Sequence, residues 1–481
     1  MSLRVRYAPS PTGLHHIGGA RTALFAYLLA RSAGGTFILR IEDTDRARFD
    51  PAALEDIYDT LGWLGLRWDE GPSVGGPHGP YVQSERVERH RAVAARLVET
   101  GRAYRCYCDP ERLQRVRGSG GGYDRRCRNL SADERRQHEE RGEPSVVRFK
   151  VPLDGATRYE DRLLGPIERR NSDINPDPVL LKSDGYPTYH LAAITDDHDM
   201  RVSHVLRAQE WVSSAPLHVL IFQACGWKPP LYAHLPVVNG PDGKKLSKRH
   251  GSMSVAEFRD QGYLPEALVN YMALLGWSLD GERELFSLPE LERSFSLERL
   301  HASPAIFDAD KLRWMNGTYI RALPPEELSG RLAPWLAKAG AADPQGVAQP
   351  VADLVRERLT VLGDTIPMAG FLFAAELDYD GGALVPKRLD GARTARVLER
   401  SLDLVDTACG PDEEAAEQVF RTAADELGVK FGDLMMPVRV AITGARVSPP
   451  LFGSMRILGA ETCRDRLRTA IVKLAEQAPD A

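Results

Sequence analysis

The chain is short of most features that would place it in an extreme class. Only 6 of its 481 residues are cysteine, at irregular spacing, which argues against a disulfide framework and leaves reduced thiols as the expectation. No apolar run approaches the roughly 20 residues that a membrane-spanning helix needs. The first residues start a strand instead of a secretion signal, so a cytoplasmic protein with no membrane partner is expected. No internal repeat or long low-complexity segment is present. Hydrophobic residues make 43% and charged residues 27% of the chain, so neither disorder nor a fibrous fold is indicated, and the length calls for two to four domains.

An excess of one charge is also missing overall, since the formal net charge is only −5. Locally the balance differs. Residues 101 to 150 hold 12 Arg and 1 Lys against 8 Asp and Glu, so this stretch is basic while the remainder is acidic. A solvated arginine surface and a phosphate-binding surface are both consistent with that count.

What is present begins at Arg4. Val5 and Tyr7 form a short alternating run that breaks at Pro9-Ser-Pro-Thr-Gly13 and enters a helical pattern through Gly18-Gly19. A strand, a tight loop and a helix N-terminus offer free backbone N–H groups to an anion such as phosphate. Ala20, Leu24, Tyr27, Leu28 and Arg31 share one helical face, and Gly34-Gly35 supplies the stop. Thr36 to Ile41 reads as a strand ending at Glu42-Asp43, and a second helix starts with Asp50 as N-cap and Pro51. This alternation predicts a parallel sheet wound by helices, with ligands beyond the carboxyl ends of the strands.

From about Cys106 the texture changes to arginine, the glycines of 118 to 122 and short strands such as Ser145 to Val151, which predicts an insertion. The wound pattern resumes near Tyr189 to Ala192, runs through Val202 to Leu206 and enters a helix around Trp211 to Cys225. A strand over Leu235 to Val238 then leads to the turn Asn239-Gly-Pro-Asp-Gly243 and to Lys244-Lys-Leu-Ser-Lys-Arg249 on a loop expected to move. From about Ser254 the pattern is mostly helical, with turn signals at Leu323 to Pro325, Gly381-Gly382 and Cys409 to Pro411.

His16-Ile-Gly-Gly19 and Lys245-Leu-Ser-Lys-Arg249 are each weak alone. Together, on two strand ends of one sheet, they resemble the two signatures of class I aminoacyl-tRNA synthetases. Longer patterns narrow the resemblance to the glutamyl-tRNA synthetase family: Ala8-Pro-Ser-Pro-Thr-Gly13, Ile38-Leu-Arg-Ile-Glu-Asp-Thr-Asp-Arg46, Asp184-Gly-Tyr-Pro-Thr-Tyr-His190, Arg207-Ala-Gln-Glu-Trp211 and Lys311-Leu-Arg-Trp-Met-Asn-Gly317. These run in order from residue 4 to just short of residue 320.

The resemblance implies an α/β fold: a Rossmann-type parallel-sheet catalytic domain, an inserted α+β acceptor-binding domain and an all-α C-terminal anticodon-binding region. It places the catalytic domain at 1–100 and 188–240, the insert at 101–187, a stem-contact domain with the lysine loop at 241–323, and anticodon-binding subdomains at 324–380 and 381–481. The implied activity is glutamate–tRNA ligation. Glutamate is activated by ATP, with Mg2+, to glutamyl-adenylate and passed to the 3′ end of tRNA(Glu), and relatives generally need tRNA bound before the first step. A monomer is expected. An enzyme that also charges tRNA(Gln) with glutamate, and a catalytically silent tRNA-binding paralogue, are the alternatives; intact His16 and lysines speak against the second.

Carried over by resemblance, His16, Lys245 and Lys248 are catalytic. Thr12, His16, Gly18, Gly19, Glu210, Lys245, Ser247 and Lys248 bind ATP. Arg6 and Arg207 hold the side-chain carboxylate of glutamate, Glu42 receives its α-ammonium, and Ala8, Ser10, Tyr189 and Trp211 line the pocket. Residue types and chemistry agree: guanidinium takes a carboxylate bidentately, and phosphoryl transfer needs positioning and positive charge. Gly18 and Gly19 would let ATP approach the backbone. Gly19 replaces the last His of the class signature, and Ala193 offers only a methyl group where some relatives carry a polar pocket residue. Tyr189 and Trp211 have a packed-core alternative. Arg358, Arg439 and Ser448 match positions that face anticodon bases, and Arg358 would favour charging of tRNA(Glu) alone.

Cys106, Cys108 and Cys127 have metal-like spacing, and some relatives bind zinc in this insert. A structural zinc site needs four ligands. The residues after Cys127 are Arg128 and Asn129, and His138 is a speculative substitute. No metal is the favoured reading, with zinc the weaker option. Asp196-Asp-His-Asp199 also looks metal-like and is read as loop and helix-capping chemistry.

Overall fold

A computed structural model describes residues 2–118, 122–247, 249 and 254–476. The chain divides into two compact units. One comprises 1–259 with 265–312, and the other comprises 260–264 with 313–481.

The first unit is organised by a six-stranded sheet. Its strands are β1 (Arg4–Tyr7), β2 (Thr36–Leu39), β5 (Ala156–Asp161), β6 (Gly165–Arg170), β8 (His204–Ala208) and β9 (Leu231–Leu235), in spatial order β2-β1-β8-β9-β5-β6. All neighbours run parallel except the β5–β6 hairpin. The helix α1 (Ile17–Ser32) crosses from β1 to β2 and buries most of its length against the sheet. It stops at Ala33, followed by Gly34 at φ +59°, the left-handed conformation that glycine adopts without strain. The helix α2 (Pro51–Trp63) begins as expected: the Asp50 carboxylate accepts from the Ala52 N–H at 2.9 Å, with Pro51 in the first turn. Because β1 connects to β2 on one side and lies beside β8 on the other, the chain reverses direction across the sheet at β1. A crevice forms at such a point beyond the carboxyl ends.

The segment 101–187 contributes to two sheets. The strands β3 (Ala103–Cys106), β4 (Val146–Phe149) and β7 (Val179–Leu181) form an antiparallel sheet of their own. Val147, Phe149 and Leu180 from it share a core with Val93 and Leu97 of the helix α3 (Val87–Glu99) and with Leu191, Ile194, Leu217 and Ile221. The hairpin β5–β6, in contrast, joins the main sheet through the pair Asp161 and Tyr232.

Three local expectations need correction. The strand over Leu235 to Val238 is two pieces, because β9 ends at Leu235 and β10 (Val238–Asn239) pairs instead with β11 (Ala305–Ile306). Pro236, which has no N–H to give a ladder, separates them. The helix around Trp211 opens as a tighter 3-10 turn over Gln209–Ser214 before Ala215–Ala224. Asp196 to Asp199 are not loop residues. They close the helix Tyr189–Asp199, and Asp196 and Asp197 are buried in ion pairs.

The second unit is helical. Leu398, Phe420, Val438, Phe452 and Leu467, from five helices between Gly391 and Glu476, form one core. Asn316, from the Lys311 to Gly317 motif, is fully buried. Its side chain accepts from the Leu264 N–H at 2.8 Å and donates to the Thr360 carbonyl at 2.6 Å, so that part of the motif fixes backbone.

Candidate active site

Beyond the carboxyl ends of β1, β2, β8 and β9 lies an open cleft of about 990 Å³. Arg6, Ala8, Ser10, Thr12, His16, Gly18, Gly19, Glu42, Tyr189, Arg207, Glu210, Trp211 and Lys245, expected from positions up to 239 residues apart, all line it. Ala193 is buried in its helix and does not reach the cleft.

One end of the cleft is a buried charge array. Arg6 donates from Nε to Asp197 at 3.1 Å and, weakly, from Nη1 to the Leu206 carbonyl at 3.4 Å. Arg40, fully buried, bonds the same Asp197 oxygen at 2.7 Å and Glu42 at 3.1 Å. Burial raises the Glu42 pKa above its ordinary value, with Arg40 and Arg6 pulling against it. Arg207 differs. Its partners are His234 Nε2 at 2.9 Å, the Tyr189 hydroxyl at 3.3 Å, His218 Nδ1 at 3.2 Å and the Trp211 carbonyl at 3.1 Å. None is a carboxylate, so its charge awaits a counterion. Burial, together with Arg207, pushes the His218 pKa well down, which keeps that ring neutral beside the guanidinium. Tyr189 and Trp211 face each other at 4.6 Å, and Trp211 keeps 38% of its surface exposed. A packed-core role is thereby excluded for Trp211.

The other end is wetter. His16 caps α1, its Nδ1 accepting from the Gly18 N–H at 3.0 Å. With Nδ1 an acceptor, the neutral ring carries its proton on Nε2. Desolvation and the Lys245 ammonium lower the His16 pKa, and the neutral, Nε2-protonated ring is the form present near pH 7. Gly19 lines the cleft and also has a packing reason of its own. A Cβ there would meet the Tyr7 hydroxyl at 2.9 Å and the His15 ring at 3.3 Å, and Tyr7 and His15 are themselves hydrogen-bonded at 2.7 Å. The glycine therefore admits an internal pair, while Gly18 has only its own His16 ring within 4 Å. Lys245 leaves a turn in which Gly243 has φ +73° and Leu246 N–H bonds the Val238 carbonyl at 2.9 Å. Its ammonium pairs with Glu210 at 2.7 Å. Ser247 follows, and Lys248 lies outside the described residues.

Away from the cleft, the sulfurs of Cys106, Cys108 and Cys127 lie within 4.8 Å of one another. All six cysteines are free thiols. The Tyr123 hydroxyl is 3.2 Å from Cys106 Sγ, whereas His138 stacks on Tyr107 and bonds Glu143 at 2.6 Å. Three of the four donors of a structural zinc site are thus assembled, and His138 is not the fourth. In the helical unit, Arg358 and Arg439 converge on one segment: Arg358 bonds the Ser448 carbonyl at 2.5 Å and Arg439 its hydroxyl at 2.6 Å.

The parts played by Arg40 and Asp197, and the residues His218, His234 and Asp161 altogether, escaped the sequence reading. A charged Arg40 within Phe-Ile-Leu-Arg-Ile, and His234 within Leu-Tyr-Ala-His-Leu, were the available signals, because a polar side chain inside a buried strand needs a partner.

A parallel sheet with this switch-point cleft, a histidine-capped first helix and a lysine turn across from it define a class I aminoacyl-tRNA synthetase. Residues 2–314 match the catalytic domain of the class I tRNA synthetases for E and Q, and residues 327–471 match an anticodon binding domain. The chain is 47% identical to a glutamate–tRNA ligase of Treponema denticola, over 98% of this chain and 100% of that protein. It is 44% identical to that of Dehalococcoides mccartyi, over 98% and 99%. A crystal structure of a glutamate tRNA ligase from Elizabethkingia meningosepticum in complex with its amino acid superimposes with a TM-score of 0.88 at 35% identity, covering 98% of this chain and all of that one. The chain belongs to the glutamate–tRNA ligase family. Among the described residues, no helix is long and apolar enough to cross a membrane.

Proposed function

We propose that the chain activates L-glutamate with ATP and transfers the glutamyl group to the 3′ end of tRNA(Glu). The α-carboxylate oxygen attacks the α-phosphorus. The new C–O–P linkage forms as the bond to the bridging oxygen breaks, and pyrophosphate leaves with the electron pair. No base is required, since the carboxylate is ionised at neutral pH.

Arg207 takes the side-chain carboxylate. Arg6, neutralised by Asp197, holds the geometry beside it. Glu42 receives the α-ammonium, and Ala8, Ser10, Tyr189 and Trp211 form the walls. His16 donates from Nε2 to the α-phosphate, while Lys245 and Lys248, with Thr12, Glu210 and Ser247, attend the nucleotide and its departing pyrophosphate. Mg2+ accompanies ATP as part of that substrate. A terminal ribose hydroxyl of tRNA(Glu) then attacks the acyl carbon; the ester forms as the bond from that carbon to the phosphate oxygen breaks, AMP leaves with the electron pair, and the hydroxyl proton passes to the departing phosphate or to water. Arg358, Arg439 and Ser448 read anticodon bases.

The observation that carries this reading is the buried guanidinium of Arg207, partnered only by neutral groups, at one end of a cleft whose other end holds His16 and Lys245. ATP–pyrophosphate exchange tests it, with glutamate or glutamine and with purified tRNA(Glu) or tRNA(Gln). Exchange with glutamate and tRNA(Glu) is expected. Exchange with glutamine alone would overturn the assignment of Arg207, and equal charging of both tRNAs would remove Arg358 as a discriminating residue.

A further inference from the structure

Behind Arg207 stands a second layer that does not line the cleft. His234 Nε2 receives the Arg207 Nε–H at 2.9 Å, and His234 Nδ1 lies 2.5 Å from an Asp161 carboxylate oxygen. The side chains of Asp161 and His234 are fully buried. The other Asp161 oxygen, Oδ1, accepts the N–H groups of Leu163 at 3.0 Å and Leu164 at 2.9 Å. Neither residue is placed by the activity described above.

The proton positions follow from the partners. An ionised carboxylate only accepts, so the His234 proton sits on Nδ1, and the Nε2 lone pair is left for the guanidinium. Burial raises the Asp161 pKa, yet the His234 bond and the two backbone N–H groups outweigh it and hold the group below its ordinary value. For His234, burial lowers the pKa; Asp161 opposes this, and the Arg207 and Arg6 charges reinforce it. Tyr159 meets the ring edge-on and Tyr232 lies parallel to it. A carboxylate placed directly on Arg207 would compete with the substrate for the same N–H groups. A neutral ring with a carboxylate behind it orients the fork and leaves its charge for the ligand.

We propose that Asp161 and His234 are positioning residues that fix Arg207 as the reader of a carboxylate, and that they set the preference for glutamate over glutamine. This rests on the reading of Arg207 given above.

Asp161→Asn is the sharpest variant. The Leu163 and Leu164 N–H groups at Oδ1 outweigh the single His234 backbone N–H, which lies 3.2 Å from Oδ2 and 3.4 Å from Oδ1, so oxygen stays at the Oδ1 position and the new amide NH2 faces His234 Nδ1 and drives the proton to Nε2. Two donors then oppose each other at Arg207. The glutamate KM is expected to rise about tenfold or more, with the glutamate-to-glutamine preference falling in step, while the ATP KM stays within about threefold. His234→Leu should behave alike. His234→Gln, whose amide oxygen can accept from Nε, should return the glutamate KM to within about threefold of the parent. Thermal unfolding is followed for each, and if Asp161→Asn does not fold, the contrast between the two His234 variants decides. An unchanged glutamate KM in folded Asp161→Asn and His234→Leu would overturn the proposal, as would equal rises for glutamate and ATP. Arg207→Met separates the two layers. If it leaves the glutamate KM unchanged, the reading of Arg207 fails and the relay with it; if it abolishes glutamate use while Asp161→Asn does nothing, the relay alone fails.

Discussion

At the end of the cleft proposed to take the amino acid, Arg6, Arg40, Arg207, Glu42 and Asp197 are each no more than 8% exposed; Arg6, Asp197, Arg40 and Glu42 share a continuous set of hydrogen bonds, and Arg207 is held separately by His234 and His218. At the nucleotide end, Lys245 and Glu210 keep 67% and 52% of their side-chain surfaces in water. The contrast follows from what each end must do. Telling a carboxylate from an amide needs donors whose positions and charges are settled beforehand, which burial enforces. Meeting a polyphosphate that arrives, changes charge and leaves needs cations that can exchange partners, and exposed side chains can.

The strongest way to break the comparison is at Asp197, which serves Arg6 and Arg40 at once. Asp197→Leu leaves Arg6 without its carboxylate partner and Arg40 with Glu42 alone, and urea unfolding should show a loss of about 3–5 kcal/mol. A loss below about 1 kcal/mol would mean that the array is no more preorganised than a surface pair. Next in size is His16→Ala, which removes the donor proposed for developing phosphate charge. Pre-steady-state adenylate formation should slow by about a hundredfold with the glutamate KM little changed. A change confined to the glutamate KM would move His16 to the buried end.

A smaller effect sharpens the distinction through pH. Because burial raises the Glu42 pKa, its ionised form is lost on acidification earlier than an ordinary carboxylate, whose pKa is about 4.3. The glutamate KM should therefore climb severalfold as pH falls toward that range from above, while the ATP KM holds steady; Glu42→Gln should start high and lose the dependence. The smallest effect is expected at Glu210. Glu210→Gln should raise the ATP KM by no more than about threefold, in keeping with an exposed ion pair, and a tenfold rise would show that this end is as tightly organised as the other.

Legibility in the sequence divides along the same line. The first strand, α1, β2 and the start of α2 could be read because Asp50, Pro51 and Gly34 act within a few residues of where they sit. Arg6, Glu42 and Arg207 could be found because each lies beside a recognisable motif. Asp161 and His234 could not, since they are 73 residues apart and meet only through the pairing of β5 with β9. Gly19 was visible, but the pressure on it from the Tyr7 and His15 pair was not, because that contact forms only when the strand and the helix pack. Asp196 to Asp199 were read as loop and capping residues for want of knowledge that Arg86, His90, Arg6 and Arg40 close around Asp196 and Asp197.

The β5–β6 hairpin also limits how far this enzyme can be trimmed. Cutting out residues 101–187 as a self-contained module would strip β9 of β5, leaving it paired with β8 alone and with one open strand edge, an invitation to aggregation. Any minimal version must splice around residues 156–170 and carry that hairpin along, because the sheet of the catalytic unit is completed by chain borrowed from within the insert.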